Sequence, residues 1–209
     1  MIIPGILEKD FMEVVNKIQL VQDFTTIIQI DIADGKLVKG ETFLEIDRIA
    51  EIKTKAEIEI HLMVENPLQY LVKKINNISR ICAQIEVKDY IEDFINISHD
   101  FGYIVGLSLN PETEIQKLDR FLSKIDYVQF MTIIPGAQGN PFVYNVLAKI
   151  NQFRQLYPKM PVQVDGGIDA ETLPLVLETG VRDVIIGSHL FNQSDIRDAY
   201  IKFSNEELL

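Results

Sequence analysis

The sequence predicts an α/β protein built as a single (β/α)8 TIM barrel over residues 1–209. Three observations predict this fold. Short apolar runs alternate eight times with amphipathic segments, most runs are rich in Ile and Val, and no Pro-, Gly- or Ser-rich linker divides the chain. Nearly continuous apolar runs are typical of parallel strands that are buried on both faces. A chain of 209 residues is long enough for one well-buried core but is short for eight strand–helix units.

The eight apolar runs are the predicted strands of the barrel. They lie near Ile2–Leu7, Thr26–Ile32, Ile58–Met63, Ile81–Val87, Tyr103–Leu109, Tyr127–Thr132, Pro161–Asp165 and Asp183–Ile186. Between them, apolar residues recur with helical spacing, as from Phe11 to Val21 and from Val146 to Phe153. An open doubly wound sheet is the alternative, but its dinucleotide-binding fingerprint G-x-G-x-x-G is absent from the sequence.

Residues that commonly cap helices mark the starts of several helical segments. Three asparagines stand directly before a proline, which suits a first helical turn: Asn66, Asn110 and Asn140. Asp169, and either Ser194 or Asp195, are the predicted caps of the last two helices.

The charge of the chain restricts its partners. The formal net charge is −11 at pH 7, and the pI is about 4.7. A surface this acidic repels nucleic-acid backbones and anionic membranes, so we expect neither as a partner. The single cysteine, Cys82, allows no intrachain disulfide, and no apolar run approaches the roughly 18 residues of a membrane-spanning helix. We therefore expect a cytoplasmic protein.

Ionisable residues stand at the carboxyl ends of three predicted strands, where barrels of this type place their active sites. Asp31 lies near the end of the second strand, His61 near the end of the third, and Asp165 ends the seventh. Two carboxylates facing each other across a pocket suit a reaction in which one removes a proton and the other returns it. The alternative is a structural role for Asp31, in which its carboxylate caps the next helix or pairs with a lysine.

The same residues form a candidate metal site. Strand alternation puts Gln29 and Asp31 on one face, and a carboxylate buried there requires a cation or a shared proton. His61 on the adjacent strand completes a pair of ligands with Asp31. The alternative is that His61 is an ordinary core histidine.

Glycines after the last three strands predict a phosphate site. Gly166 and Gly167 follow the seventh strand, and Gly187 and Ser188 follow the eighth. The loops after these two strands commonly bind phosphate in this fold through backbone amides at a short helix. The loop from Ile134 to Gly139, which contains Gly136, is interpreted as a lid or a further phosphate contact, or as a plain connector.

Taken in order, these segments resemble the ribulose-phosphate 3-epimerase family from end to end. The matching stretches are Ile30-Asp31-Ile32-Ala33-Asp34-Gly35, His61-Leu62-Met63-Val64-Glu65 with Pro67, Leu109-Asn110-Pro111, Met131-Thr132 with Pro135-Gly136, Val164-Asp165-Gly166-Gly167-Ile168, and Gly187-Ser188. The second and fifth of these stretches are specific when they occur together at this separation.

The resemblance implies a ribulose-phosphate-binding barrel of the pentose phosphate pathway that interconverts D-ribulose 5-phosphate and D-xylulose 5-phosphate through a metal-stabilised enediolate. It implies that Asp31 and Asp165 are the acid/base pair. With His61 they would bind a divalent ion, namely Zn2+, Fe2+, Mn2+ or Mg2+. The implied substrate and phosphate contacts are His61, Met63, Met131, Gly136, Gly166, Gly167, Gly187 and Ser188. Members of the family commonly self-associate, so a homo-oligomer is also implied.

The chain departs from the family pattern at several site positions. Gln29 replaces a metal-binding histidine, Gly5 replaces a serine near the substrate, Ala33 replaces a pocket methionine, and Glu86 replaces a histidine of the fourth strand. As a fourth ligand, the amide oxygen of Gln29 would be weaker than imidazole for zinc or iron and would favour harder ions such as Mg2+ or Mn2+.

Two other functions are weighed against the epimerase. The departures at Gln29, Gly5 and Ala33 favour a binding or regulatory protein that keeps the sugar-phosphate pocket without turnover. A related barrel lyase, such as a decarboxylase or an aldolase, is the third hypothesis, because a barrel alone does not select a chemistry. No lysine stands at a strand end to form a Schiff base, and none lies between Asp31 and Asp34.

Overall fold

Eight parallel strands close into a barrel in which neighbours along the chain are also neighbours in space. The structure is a computed structural model, and it describes residues 1–136 and 139–206. The strands are β1 Ile2–Ile6, β2 Ile27–Ala33, β3 Glu57–Met63, β4 Ile78–Gln84, β5 Ile104–Leu109, β6 Tyr127–Met131, β7 Val162–Asp165 and β8 Asp183–Ile186. The predicted TIM barrel is therefore confirmed.

Helices surround the barrel, but after three of the strands a short 3-10 helix stands where an α-helix was expected. The α-helices are α1 Phe11–Val21, α2 Ile91–Asp100, α3 Asn145–Leu156, α4 Thr172–Glu178, α5 Ser188–Phe191 and α6 Ile196–Glu206. Single 3-10 helices at Ile46–Glu51, Pro67–Tyr70 and Ile115–Leu118 follow β2, β3 and β5. These reduced connections explain how a short chain completes the barrel. Within the described residues, no helix is both long enough and apolar enough to cross a lipid bilayer.

The fourth strand lies three residues earlier than its apolar run predicted. The prediction was Ile81–Val87, whereas β4 spans Ile78–Gln84. The sequence pattern failed here because Arg80, a charged residue, belongs to the strand. Its side chain is held inside the barrel by an ion pair in which Nε lies 3.0 Å from Oε2 of Glu59 on β3.

The predicted asparagine caps are correct at one position of three. The Oδ1 of Asn66 accepts a hydrogen bond of 3.0 Å from the N–H of Leu68 and caps a 3-10 helix. Asn110 and Asn140 were wrong, because a turn follows Asn110, irregular backbone follows Asn140, and the next helix begins five residues later in each case. A proline after asparagine starts a turn as readily as a helix.

Of the caps predicted for the last two helices, Asp195 is confirmed, whereas the N-cap position of α4 is Glu171 and not Asp169. The Oδ1 of Asp169 nevertheless accepts from the N–H of Thr172, the first residue of α4, at 2.8 Å. The Oδ1 of Asp195 accepts from the N–H of Asp198 at 2.9 Å, at the start of α6. These two helices follow β7 and β8 and brace the loops at the mouth of the barrel.

The interior of the barrel is polar, in contrast to the apolar layer between strands and helices. Gln163 on β7 contacts both Gln29 on β2 and Glu59 on β3. Neither strand is a neighbour of β7, so these contacts cross the lumen. All three side chains are at most 1% exposed. Buried polar side chains this close together must hydrogen-bond to one another, and this requirement fixes the orientations of the side chains beneath the site.

Candidate active site

A cavity opens at the carboxyl ends of the strands. Its lining includes Asp31, Met63, Met131, Gly136, Asp165, Gly166, Gly167, Gly187 and Ser188. All of the predicted substrate and acid/base residues except His61 therefore meet in one place. Ala137 and Gln138, which belong to the loop of Gly136, lie outside the described residues.

His61 lies beneath the two aspartates rather than on the cavity wall. Asp31 and His61 are paired in register on β2 and β3, and the Nδ1 of His61 lies 3.1 Å from Oδ1 of Asp31. The same Nδ1 lies 3.5 Å from Oδ2 of Asp165, which ends β7. Because the His61 side chain is fully buried, its predicted contact with a substrate stays a prediction.

Burial and mutual interaction perturb the protonation of this cluster. Burial, together with the charge of Asp165, raises the pKa of Asp31 to about 6. Burial opposes the charged form of His61, but hydrogen bonds and attraction from Asp165 and Asp31 outweigh it and raise its pKa to about 9. Without a metal, the cluster therefore keeps a proton on His61 at neutral pH. Binding a cation there would release protons.

The cluster fits a divalent cation. One ligand atom from each of Asp31, His61 and Asp165 lies within 4.8 Å of the others. Bonds of about 2.1 Å to one ion place neighbouring ligand atoms about 3.0–3.4 Å apart, which is close to the separations of 3.1 and 3.5 Å from Nδ1 of His61 to the two carboxylates. Two carboxylates and an imidazole are also a donor set that suits divalent metals of intermediate hardness.

Gln84 fixes which nitrogen of His61 faces the carboxylates. The Gln84 amide is satisfied when its oxygen accepts from Nε2 of His61 at 3.1 Å and its nitrogen donates to Oε2 of Glu86 at 2.8 Å. The Nε2 of His61 therefore carries a proton, and Nδ1 is the atom available to a metal. Such an outer hydrogen bond is how metal-binding histidines are commonly oriented.

Gln29 turns its amide nitrogen, not its oxygen, toward the aspartates. Nε2 donates to Oδ1 of Asp31 at 3.0 Å and to Oδ2 of Asp165 at 2.8 Å. An amide nitrogen offers no lone pair to a cation. In this orientation Gln29 is a hydrogen-bond donor, and its expected role as a fourth metal ligand stays a prediction.

Gln129 is a site residue that the sequence reasoning missed. It lies on β6, is fully buried, and its Nε2 lies 3.2 Å from Nδ1 of His61 and 3.3 Å from Oδ2 of Asp165. The available signal was its position two residues before Met131, because alternation places both residues on the inner face of the strand.

The turn after β7 is shaped to expose backbone amides. Gly166 and Gly167 have φ angles of 112° and 65°, in the region that favours glycine. A Cβ on Gly166 would lie 2.5 Å from Cγ1 of Ile133, so only glycine fits. Hydroxyls of Thr132 and Thr172 hold the carbonyls of Gly166 and Gly167. The N–H groups of both glycines have no hydrogen-bond partner among the described residues, which leaves them for an anion.

The turn after β8 also lines the cavity. Gly187 precedes α5, and Ser188 is the first residue of that helix, whose first N–H groups lack intrahelical partners. His189, to which no role was assigned from sequence, also lines the cavity, and its Nε2 lies 3.9 Å from Oδ2 of Asp169. Its position next to Ser188 was the only signal for it.

Two departures from the expected pattern have structural explanations. A Cβ on Gly5 would lie 2.5 Å from Cγ2 of Ile185, so the isoleucine occupies the space that a serine would need. Glu86 accepts hydrogen bonds from the N–H of Asn110 at 2.9 Å and from the hydroxyl of Thr113. It therefore braces the loop after β5 and supports Gln84 behind His61.

The chain is similar to proteins of known family. A sequence model of the ribulose-phosphate 3 epimerase family matches residues 1–191. The ribulose-phosphate 3-epimerase of Bacillus subtilis (strain 168) is 31% identical over 207 residues, which cover 94% of each chain. The ribulose-phosphate 3-epimerase of Schizosaccharomyces pombe is 27% identical over 197 residues, with 91% of this chain and 86% of the relative covered.

Solved structures share the fold. The 3-hexulose-6-phosphate synthase of Salmonella typhimurium aligns over 99% of this chain and 98% of its own, with a TM-score of 0.74 and 15% identity. At this identity the likeness concerns the barrel alone.

Proposed function

The chain belongs to the ribulose-phosphate 3-epimerase family, and we propose that it interconverts D-ribulose 5-phosphate and D-xylulose 5-phosphate, or a closely related pair of ketose phosphates. The observation that carries this proposal is one cavity lined by two kinds of group. Asp31 and Asp165 line it, and so do Gly166 and Gly167, whose amides have no hydrogen-bond partner among the described residues. Such a site can hold a phosphate while two carboxylates act on a carbon some bonds away.

The two aspartates would act as an acid/base pair on opposite faces of the reacting carbon. One carboxylate removes the proton from C3, and the electron pair moves toward the C2 carbonyl oxygen to give an enediolate. The other, protonated aspartic acid then delivers its proton to the opposite face of C3. The raised pKa of Asp31 supports this cycle, because one member of the pair must be protonated when the other is ionised.

We propose that Asp31, His61 and Asp165 hold a divalent cation, either Zn2+, Fe2+, Mn2+ or Mg2+. When bound, such an ion supplies several kcal/mol of stabilisation to negative charge that develops on the substrate oxygens. The Nδ1 of His61 is oriented for this role by Gln84. Oδ1 of Asp31 and Oδ2 of Asp165, the carboxylate oxygens nearest Nδ1 of His61, also accept the hydrogen bonds from Gln29 and Gln129, so each carboxylate keeps a second oxygen for proton transfer.

The remaining cavity residues would bind and shield the substrate. The N–H groups of Gly166, Gly167 and Ser188 are proposed to bind the phosphate, with Gly187 and Gly136 allowing its close approach. Met63 and Met131 also line the cavity. Their apolar side chains exclude water from the reacting carbons, which strengthens the electrostatic interactions there.

The test is turnover of D-ribulose 5-phosphate by purified protein supplied with each of the four ions in turn, followed by NMR. We expect formation of D-xylulose 5-phosphate with at least one ion. Asp31→Asn and Asp165→Asn should each lower kcat at least about a hundredfold, the scale of one lost proton-transfer group. Asp195→Asn, which changes the cap of α6 at a residue that is not among those lining the cavity, is the matched control. Absence of turnover with every ion would refute the proposal.

A sugar-phosphate-binding protein without turnover is the second candidate function. It is favoured by Gln29, because the residue at this position donates to the aspartates instead of offering an oxygen to a metal. Calorimetric binding of D-ribulose 5-phosphate in the absence of any turnover would support this candidate. Turnover with any of the ions would exclude it.

A further inference from the structure

A continuous set of hydrogen bonds runs from the amino end of the barrel to the two aspartates. It consists of Arg80, Gln163, Gln29 and Gln129, and we refer to these four residues as the amide network. The three glutamines are at most 1% exposed. Because water has little access to them, each amide must find its partners among its neighbours, and its orientation is set by what those neighbours donate or accept.

The orientation is decided at Arg80. A guanidinium group only donates, and its Nη2 donates to Oε1 of Gln163 at 3.0 Å. Arg80 is itself fixed by the ion pair with Glu59 and by the ring of Tyr127, whose centroid lies 4.4 Å from the guanidinium carbon. Since Oε1 of Gln163 faces Arg80, its Nε2 must face the lumen as a donor.

Gln163 passes this orientation to two other amides. Its Nε2 contacts Oε1 of Glu59 at 2.5 Å, Oε1 of Gln129 at 2.8 Å and Oε1 of Gln29 at 3.3 Å, so two hydrogens are shared among three oxygens. With their oxygens held by this donor, Gln29 and Gln129 point their nitrogens toward Asp31 and Asp165. If the Gln29 amide alone were rotated by half a turn, its Nε2 would face the donor Nε2 of Gln163, and its Oε1 would face the carboxylate oxygens of Asp31 and Asp165.

We propose that Gln163, held by Arg80, is a positioning residue that turns the amide nitrogens of Gln29 and Gln129 toward the two aspartates. Three hydrogen bonds then hold the carboxylates in place from below, and Gln29 does not act as a metal ligand. This inference rests on the proposed function in so far as it concerns catalysis. The network itself is independent of the reaction.

The kinetic test removes Gln163 in two backgrounds. Gln163→Met keeps the length of the side chain but cannot donate, and we expect kcat to fall about tenfold while KM for D-ribulose 5-phosphate changes less than about twofold. In a protein that already carries Gln29→Met and Gln129→Met, the same change should lower kcat by less than about twofold, since both recipients are gone. Equal losses in the two backgrounds would overturn the proposal.

Ser108→Ala is the matched control. Ser108 is fully buried on β5, and its hydroxyl has no hydrogen-bond partner in the part of the chain that the structure describes. It therefore reports the effect of altering a buried barrel residue outside the amide network, and we expect an unchanged kcat. If Gln163→Met does not fold, Gln163→Asn, which keeps an amide but is too short to span the lumen, replaces it with the same expectation.

A second readout does not depend on turnover. In 15N-labelled, metal-free protein, the side-chain amide signals of Gln29 and Gln129 are identified by their loss in the Gln29→Met and Gln129→Met variants. Gln163→Met should shift both signals, and Ser108→Ala should leave them in place. Unshifted signals in Gln163→Met would overturn the proposal. If the wild-type protein shows no turnover, the proposed function fails, but these signals still decide whether the amide network exists.

Discussion

At the scale of single residues, Gln29 determines which side chains beneath the cavity can act as metal ligands. Gln29 gives two hydrogens to the carboxylates, and its oxygen is engaged by Gln163. Among the described residues, a cation bound in this cluster would therefore have Asp31, His61 and Asp165 as its side-chain ligands. A site with three protein ligands binds more weakly than one with four and leaves more positions open to substrate and water.

Replacing Gln29 with histidine should add a ligand. An imidazole at this position can offer a lone pair to a cation held by Asp31 and Asp165, so Gln29→His should raise the affinity for Zn2+ about tenfold or more. Competition with a chromophoric chelator measures this affinity. Gln29→Met is the control and should bring no increase. An unchanged affinity in Gln29→His would mean that position 29 does not reach the ion.

At the scale of elements, β1 and β8 are matched to each other where they meet the cavity. The side chain of Ile185 on β8 lies where a Cβ on Gly5 of β1 would have to go. Gly5 pairs in register with Gln29, so any displacement of β1 would also disturb the residues under the aspartates. The absence of a side chain at position 5 is therefore linked to a large side chain at position 185.

Restoring a side chain at position 5 should destabilise the protein unless Ile185 is reduced. We expect Gly5→Ser to lower the free energy of unfolding by about 1–3 kcal/mol, the usual cost of overpacking. Ile185→Ala alone should cost about 2–5 kcal/mol because it opens a cavity. The double variant should be more stable than the sum of the two losses predicts. Urea denaturation measures all three, and strictly additive losses would show that the two positions do not compete for space.

Much of the fold and of the site could be predicted from particular residues. Asp31 and His61 were predicted as neighbours because each lies near the end of a strand and the two strands are consecutive. Gln163 and Gln129 were not predicted as partners of Gln29, because the stagger of a closed barrel decides which inward side chains meet across the lumen. Arg80 misled the strand assignment, since its ion pair with Glu59 cannot be seen without that stagger.

At the scale of the whole molecule, the cluster of His61 and the aspartates links stability to pH. The pKa of His61 rises from 6.5 to about 9 on folding. A raised pKa of a base stabilises the folded state fully below pH 6.5, and this contribution is lost as pH rises to 9. The raised pKa of Asp31, from 3.8 to about 6, acts at lower pH and destabilises the folded state as pH rises through that range.

The metal-free protein should therefore become less stable between pH 6.5 and pH 9. We expect a loss of up to about 3 kcal/mol in the free energy of unfolding, the equivalent of the His61 shift. Urea denaturation in the presence of a chelator measures the loss. His61→Asn should show almost no change over the same range. If wild type and His61→Asn had the same pH dependence, the protonated His61 in the metal-free cluster would be contradicted.

The central claim is that Asp31 and Asp165 act on opposite faces of one carbon. Deuterium incorporation at C3 in D2O, followed by NMR for each epimer separately, tests it most directly. The wild-type protein should exchange the C3 proton of both D-ribulose 5-phosphate and D-xylulose 5-phosphate. Asp31→Asn should exchange it in one epimer only, and Asp165→Asn only in the other, because each variant keeps one base. If both variants exchanged the same epimer, or if either exchanged both, the two-aspartate account would be contradicted.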